Sequence, residues 1–353
     1  MTCRVGFLTV GLAGALAACQ SPGLSYEARL PAGNVAASTY RSVAVDGFRG
    51  PEGGWYSSRF EQMLINARLD GQPWFSVSGP GAPPGAVSGV YSGWISIDEV
   101  DVHDYTKDDT KCVEWDGLFD CETRIDIEKI CYETEIEVSV TPRLVDTATG
   151  ERVYSRTYHG EAEQSECFDH RVIGEDRKSH RLERGHYPGM RFGRDGDFIT
   201  PELVREALDE TFPAIRSDIA PRNGSARAPL MAEAVDPEAG ADPAFAQAVE
   251  AARSGNVFSS CSLWEGLHAS YPDAPAVTHN LGACAEASGN YERAQSLYAR
   301  AVETARSPFF SGKDLGPLIE SLERISERRQ GETVIDALTA PGPEDTRAPS
   351  PGG

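Results

Sequence analysis

The spacing of apolar and polar positions changes several times along the chain. Arg41–Phe48 (RSVAVDGF) alternates apolar with polar residues and stops at Gly50-Pro51, which predicts a strand. Over Ser57–Asp70 the period lengthens. Phe60, Met63, Leu64 and Ala67 fall at i, i+3, i+4 and i+7, one face of a helix. Trp74–Ser78 (WFSVS) returns to a strand, a Gly/Pro loop (GPGAPPG) follows, and Val90–Val102 reads as a strand running into acidic residues. Arg124–Thr141 and Arg152–Glu163 alternate around Asp146–Gly150 (DTATG) and predict a long hairpin. In its first arm the apolar parity changes between Ile127 and Ile130, which calls for a bulge or a break. Residues 166–198 are polar and read as an extended loop. Thr200-Pro201-Glu202 then opens a helix with a capping threonine, a proline at the first position and an acid in the first turn. Leu203, Val204, Ala207, Leu208, Phe212 and Ile215 give that helix a core face. Strands interleaved with helices, plus one antiparallel hairpin, predict an α/β domain over 41–221, a mixed sheet in α+β-like layers.

Residues 222–240 (RNGSARAPLMAEAVDPEAG) read as a linker by composition, and beyond them the periodicity is helical. Gly255-Asn256 and Gly289-Asn290 lie 34 positions apart, the period of a helix–turn–helix repeat. The second copy resembles the tetratricopeptide family at Leu281, Gly282, Ala285, Gly289, Tyr291, Ala294, Tyr298 and Ala301. The first copy follows with Ala248, Ala251, Gly255, Trp264, Leu267 and Pro272. Lys313–Arg328 adds an amphipathic helix suited to capping the array. The resemblance implies an all-α TPR-like domain over 241–330 whose inner helices line a concave face. Partner contacts would then fall on Phe245, Val249, His279, Ala283 and Glu286. From Gly331 to 353 Pro and Gly accumulate, and that stretch reads as a disordered tail.

At the other end Arg4 is the lone charge before Val5–Ala18, a run of apolar and small residues. It is shorter than the ~20 residues that cross a bilayer and fits the core of a secretory signal. Leu16-Ala17-Ala18-Cys19 resembles the lipobox of bacterial lipoproteins. The resemblance implies that residues 1–18 are removed. Cys19 would carry a covalent diacylglycerol and an N-acyl chain, and 19–40 would form a lipidated tether. Gln20, standing where an aspartate would retain such proteins at the inner membrane, implies the outer membrane, facing the periplasm or reaching the cell surface.

Export favours disulfides, and Cys112, Cys121, Cys131, Cys167, Cys261 and Cys284 remain to pair. Cys261 and Cys284 sit symmetrically about the Tyr271–Pro275 turn, Cys131 and Cys167 nearly so about the DTATG turn, and Cys112 and Cys121 flank VEWDGLFD. Those symmetries give the pairs 112–121, 131–167 and 261–284, whereas the spacings match no short zinc-knuckle pattern.

Charge and motifs narrow the chemistry. With 33 Lys+Arg against 54 Asp+Glu the net charge is -21, which excludes a nucleic-acid partner on electrostatic grounds. No His-Glu-x-x-His or Gly-x-Ser-x-Gly occurs, and GPGAPPG lacks the Lys-Ser/Thr of a phosphate cradle. The acidic run through Asp98, Glu99, Asp101, Asp104, Asp108 and Asp109 lacks a calcium loop's glycine and distal glutamate, and reads as charge guarding an edge strand. Glu133, Glu135 and Glu137, at period two, read as the wet face of a sheet. The expectation is no catalytic residue, no metal ligand and no cofactor beyond the lipid.

Residues 41–221 resemble the lipoprotein family that includes the curli-secretion protein CsgG and the penicillin-binding-protein activator LpoB. The likeness lies in RSVAVDGF, SSRFEQMLINARLDGQPWFSV, VSVTPRLVDTATGERVYSRTYHG and PELVREALDETFPAIRSDIAP, in that order. Two departures stand out: Ser78 to Val90 leaves no room for a second helix, and 104–123 and 164–199 look like additions. The resemblance implies a non-enzymatic periplasmic adaptor or activator that binds an envelope protein in cell-wall synthesis or secretion-system assembly. The alternatives are a subunit of a curli-like export pore and an envelope hydrolase with dispersed catalytic residues.

Overall fold

The structure is a computed structural model and describes residues 22–79, 85–117, 120–173, 191–192, 198–307 and 315–340. The chain enters with β1 (Gly23–Leu30), α1 (Val35–Ser38), β2 (Ser42–Arg49), α2 (Gly53–Asn66), β3 (Arg68–Leu69), β4 (Gln72–Pro73) and β5 (Ser76–Ser78). It continues with β6 (Gly89–Asp116), β7 (Asp120–Asp146), β8 (Arg152–Ser155) and β9 (Tyr158–Val172). The two-residue β10 (Arg191–Phe192) and β11 (Phe198–Ile199), α3 (Pro201–Asp209), α4 (Thr211–Ile219) and β12 (Arg222–Pro229) come next. The helices α5 (Pro237–Ala241), α6 (Pro243–Arg253), α7 (Val257–Ser270), α8 (Pro275–Ala287), α9 (Tyr291–Ala305) and α10 (Gly316–Thr339) follow. Two units result: one is Ala32–Pro221, and the other joins the chain before Ala32 to the chain from Arg222 on.

The first unit is α/β. Its sheet runs β5-β2-β6-β7-β8, with β9 also on β7. β2 is parallel to β5 and β6, and the other pairings are antiparallel. The helices α2, α3 and α4 pack on one face, where Ile136, Val138, Val140 and Leu144 alternate inward against Tyr56, Phe60, Leu203, Ala207 and Ile215. Gly160 lets the backbone of α3 approach β9: a Cβ there would stand 2.0 Å from the carbonyl oxygen of Ala207. Thr200 caps α3 as expected, its Oγ1 accepting from the Leu203 N–H at 3.1 Å.

Three sequence expectations are corrected in this unit. The helix α2 ends at Asn66 because Asp70 and Gly71 take positive φ in a tight turn between β3 and β4. The single helix expected after Thr200 is split at Glu210, where Pro213 brings no N–H to continue the ladder. The largest difference lies in the polar excursions. Residues 104–116 extend β6, and the expected loop from 166 begins as strand up to Val172. From Glu99 to Asp116 the β6–β7 ladder runs beyond β2, whose last partner is Trp94. An arm of roughly 60 Å of strand results. The parity change in β7 coincides with a register shift at Glu128/Lys129 against β9.

The second unit is helical on a two-stranded base. The antiparallel pair β1–β12 joins Gly23–Leu30 to Arg222–Pro229 residue for residue, so stretches read as tether and linker form a ribbon. Small residues make those stretches look unstructured by composition, yet Leu24, Ala28, Ala226 and Ala228 are the buried half of an alternating ribbon. The 34-residue period has a geometric counterpart. Gly255 and Gly289 take φ of +77° and +78°, and Asn256 and Asn290 each cap the next helix. The helix α10 runs to Thr339, past the expected boundary of a tail at 331. Gly331 packs on Pro31, Ile335 is buried, and Glu332 and Asp336 pair with Arg29, so the last turns have a core and ion pairs of their own. Residues 341–353 lie outside the described chain.

Candidate functional site: the open face of the sheet

The five residues expected to contact a partner, Phe245, Val249, His279, Ala283 and Glu286, are all buried. Here the chain fills its own concave face. The helix α8 is enclosed by α7, α9 and the β1–β12 ribbon, while Phe245 packs edge-on against Trp264 with ring centroids 4.9 Å apart. Asn280 binds both the N–H and the carbonyl of Met231 at 2.8 and 3.0 Å. His279 sits between Asn280 Oδ1 (3.1 Å) and Ser321 Oγ (3.0 Å), at the wall of a cavity of ≈ 500 Å³ that Arg324, Met231 and Pro317 also line. The order Ser–His–Asn is that of a nucleophile, its base and an orienting amide. Burial, however, lowers the His279 pKa to about 4, which makes the imidazole a weak base at neutral pH.

Six cysteines form three bonds, Cys112–Cys121, Cys131–Cys167 and Cys261–Cys284, the pairs that turn symmetry implied. Cys131 and Cys167 face each other across β7 and β9, while Cys112–Cys121 ties β6 to β7 near the tip of the arm. Ion pairs Lys111–Asp169 (2.5 Å), Lys129–Asp109 (2.6 Å) and Arg171–Glu128 (2.7 Å) add cross-strand links there. Cys19 lies outside the described residues.

The face of the sheet opposite α2, α3 and α4 is covered by no helix of its own unit among the described residues. Glu135, Glu161 and Glu163 are exposed on it, so that surface faces solvent. Register determines its composition. On β7 it carries Glu133, Glu135, Glu137 and Ser139, opposite His103, Asp101, Glu99 and Ser96 on β6 and Ser165, Glu163, Glu161 and His159 on β9. Carboxylates therefore stand directly opposite one another over three strands: Glu99, Glu137 and Glu161 in one row, Asp101, Glu135 and Glu163 in the next. Like charges in direct opposition destabilise a sheet. The Glu163 carboxyl shows the crowding: the hydrogen bond with Glu133, then the negative charges of Glu133 and Glu135, raise its pKa. Trp94 and Tyr105 stand exposed on β6 at either end of these rows.

At the lower end of the face lies a mixed cluster. A register shift between Ile97 and Glu99 leaves Asp98 unpaired in the ladder, a bulge that turns its side chain toward the neighbouring strands. Ser96 Oγ and Ser139 Oγ donate to Asp98 Oδ1 at 2.8 and 3.2 Å. His159 Nδ1 is 3.0 Å from Glu137 Oε1 and 3.9 Å from Asp98 Oδ2. Sequence reasoning placed Glu137 on a wet face and Asp98 in an acidic run, but did not bring His159 to them, because the three lie on three strands far apart in the chain. Pairing Ser139 with His159 across the DTATG hairpin was the signal that could have joined them.

No family model matches the chain, and no curated protein matches it. Among solved structures there is a likeness to a protein provisionally described as a lipoprotein from Caulobacter crescentus CB15, with 15% identity and a TM-score of 0.21. The match covers 53% of this chain and 90% of that one. So small an overlap in space carries no weight for fold or function.

Proposed function

We propose that this chain is an outer-membrane lipoprotein, held by lipid on Cys19 and facing the periplasm, that serves as a non-enzymatic adaptor or activator. Its partner is an envelope protein with a cationic surface, docked on the open face of the sheet. The observation that carries this reading is the three-strand array of opposed carboxylates, which a Lys/Arg-rich surface would relieve. Exposed Trp94 and Tyr105 beside the array offer the aromatic anchors that protein interfaces favour. The 34-residue repeat, with its paired glycine turns and asparagine caps, supports a tetratricopeptide-like reading of the helical unit. Because its concave face is filled, that unit acts as a scaffold in this proposal.

The arm bears on the alternative of a curli-like export pore. A lipid-facing hairpin needs one apolar side. Here Asp101, His103 and Tyr105 are exposed on one side of β6, and Asp104, Thr106 and Asp108 on the other. Charge reversal tests the docking face: Glu135→Lys with Glu163→Lys should abolish partner recovery from membranes while the thermal unfolding midpoint stays within a few degrees. Full recovery by the folded double variant would refute it.

A further inference from the structure

We infer that Asp98, Glu137 and His159 form a binding site for a divalent transition-metal ion of the zinc type. Their ligand atoms, one from each side chain, all lie within 4.8 Å of one another. Zinc–nitrogen and zinc–oxygen bonds of about 2.0–2.2 Å in a tetrahedral array space the ligands by roughly 3.4 Å. Small rotations of three solvent-facing side chains therefore close the distance. The donors come from adjacent β6, β7 and β9, whose ladder continues on both sides of the site. The bulge that turns Asp98 toward the other two is a backbone feature separate from the charges. The Ser96 and Ser139 hydroxyls hold Oδ1 and leave Oδ2 directed at His159, as outer hydrogen bonds orient metal ligands.

The donor set selects the ion. An imidazole with two carboxylates suits zinc and its neighbours, whereas calcium and magnesium take all-oxygen shells. Two carboxylate charges balance a divalent ion, and a fourth position is left to water on the open side. Among the described residues His159 is the basic neighbour of both carboxylates, and no lysine or arginine pairs with either. A bound ion would join three strands and neutralise part of the carboxylate rows, where Glu99 and Glu161 stand directly opposite Glu137. The site does not depend on the partner proposed above.

The test is calorimetric titration of zinc into the chelator-stripped mature protein, with calcium and magnesium in excess. His159→Ala and Glu137→Gln should each lose one equivalent of zinc relative to the parent protein. His103→Ala, on the same face but outside the cluster, should keep it, and circular dichroism should show all three folded. Glu163→Lys separates the two ideas, since it should weaken partner docking and keep the zinc equivalent. The inference is overturned if the parent binds no zinc against that excess, if His159→Ala or Glu137→Gln keeps the full stoichiometry, or if His103→Ala loses it equally.

Discussion

Glu286 has no exposed surface, and its carboxylate accepts from Tyr26 Oη (2.8 Å), Tyr298 Oη (2.7 Å) and Arg324 Nη2 (2.8 Å). Burial, together with this carboxylate, raises the pKa of both phenols, so they stay protonated as donors. Removing one member of a buried ion pair leaves the other uncompensated, at a cost of about 3–5 kcal/mol. Glu286→Ala should therefore lower the urea midpoint of the helical unit strongly, whereas exposed Glu292→Ala should leave it nearly unchanged. His279 sets a pH dependence of known sign. Its pKa falls from 6.5 to about 4 on burial, so the unfolded chain binds more protons between those values. Stability from the neutral imidazole is complete above about pH 6.5 and is lost as pH falls through 4, about 3 kcal/mol in all. Urea titrations at pH 7 and pH 5 should show about 2 kcal/mol of this loss in the parent and a smaller one in His279→Gln. The tetratricopeptide resemblance placed His279 and Glu286 on an inner face that would meet a partner, and both are buried within the chain. Repeat periodicity places a residue on an inner helix face and does not say whether that face meets a partner or the chain's own ribbon.

At the scale of elements, close approach and covalent links decide what the strands do. Gly160→Ala puts a methyl group into the Ala207 carbonyl, and overpacking of this kind costs about 1–3 kcal/mol. A drop of several degrees in melting temperature should follow, and an unchanged melt would contradict the packing of α3 on β9. The disulfides close loops of different length, with separations of 36 for Cys131–Cys167 and 9 for Cys112–Cys121. Loop-closure entropy predicts about 4 kcal/mol for the first and about 2.5 for the second. Paired Cys→Ala variants, followed by hydrogen exchange along β7 and β9, should reproduce that order. The hairpin, the Thr200 cap and the pairing of cysteines were legible because turn residues, alternation and symmetry are local signals. The length of the arm was not: β6 is exposed on both sides from His103 to Asp108, so alternation fades in that strand while the ladder and its ion pairs continue.

At the scale of the molecule, the chain order conceals a discontinuous unit. Composition made 23–30 and 222–229 look like spacers. Their pairing is a contact across the whole α/β unit in sequence, which no local pattern reports. The α/β and helical classes were readable from period changes alone. The open face, with its acidic rows and its Asp98–Glu137–His159 cluster, became visible only through register. Lipid attachment has its own test: Cys19→Ala should move the protein from the membrane fraction to the soluble one, or leave it unprocessed. Docking of a cationic envelope protein on the open face is tested most directly by a photo-crosslinking residue at Asp101 in living cells, with Ile65 on α2 as the control position. The expected result is one envelope-protein adduct from position 101 that is absent from position 65 and lost when Glu135→Lys and Glu163→Lys are combined with it. No adduct at 101, or the same adduct from both positions regardless of charge, would contradict it.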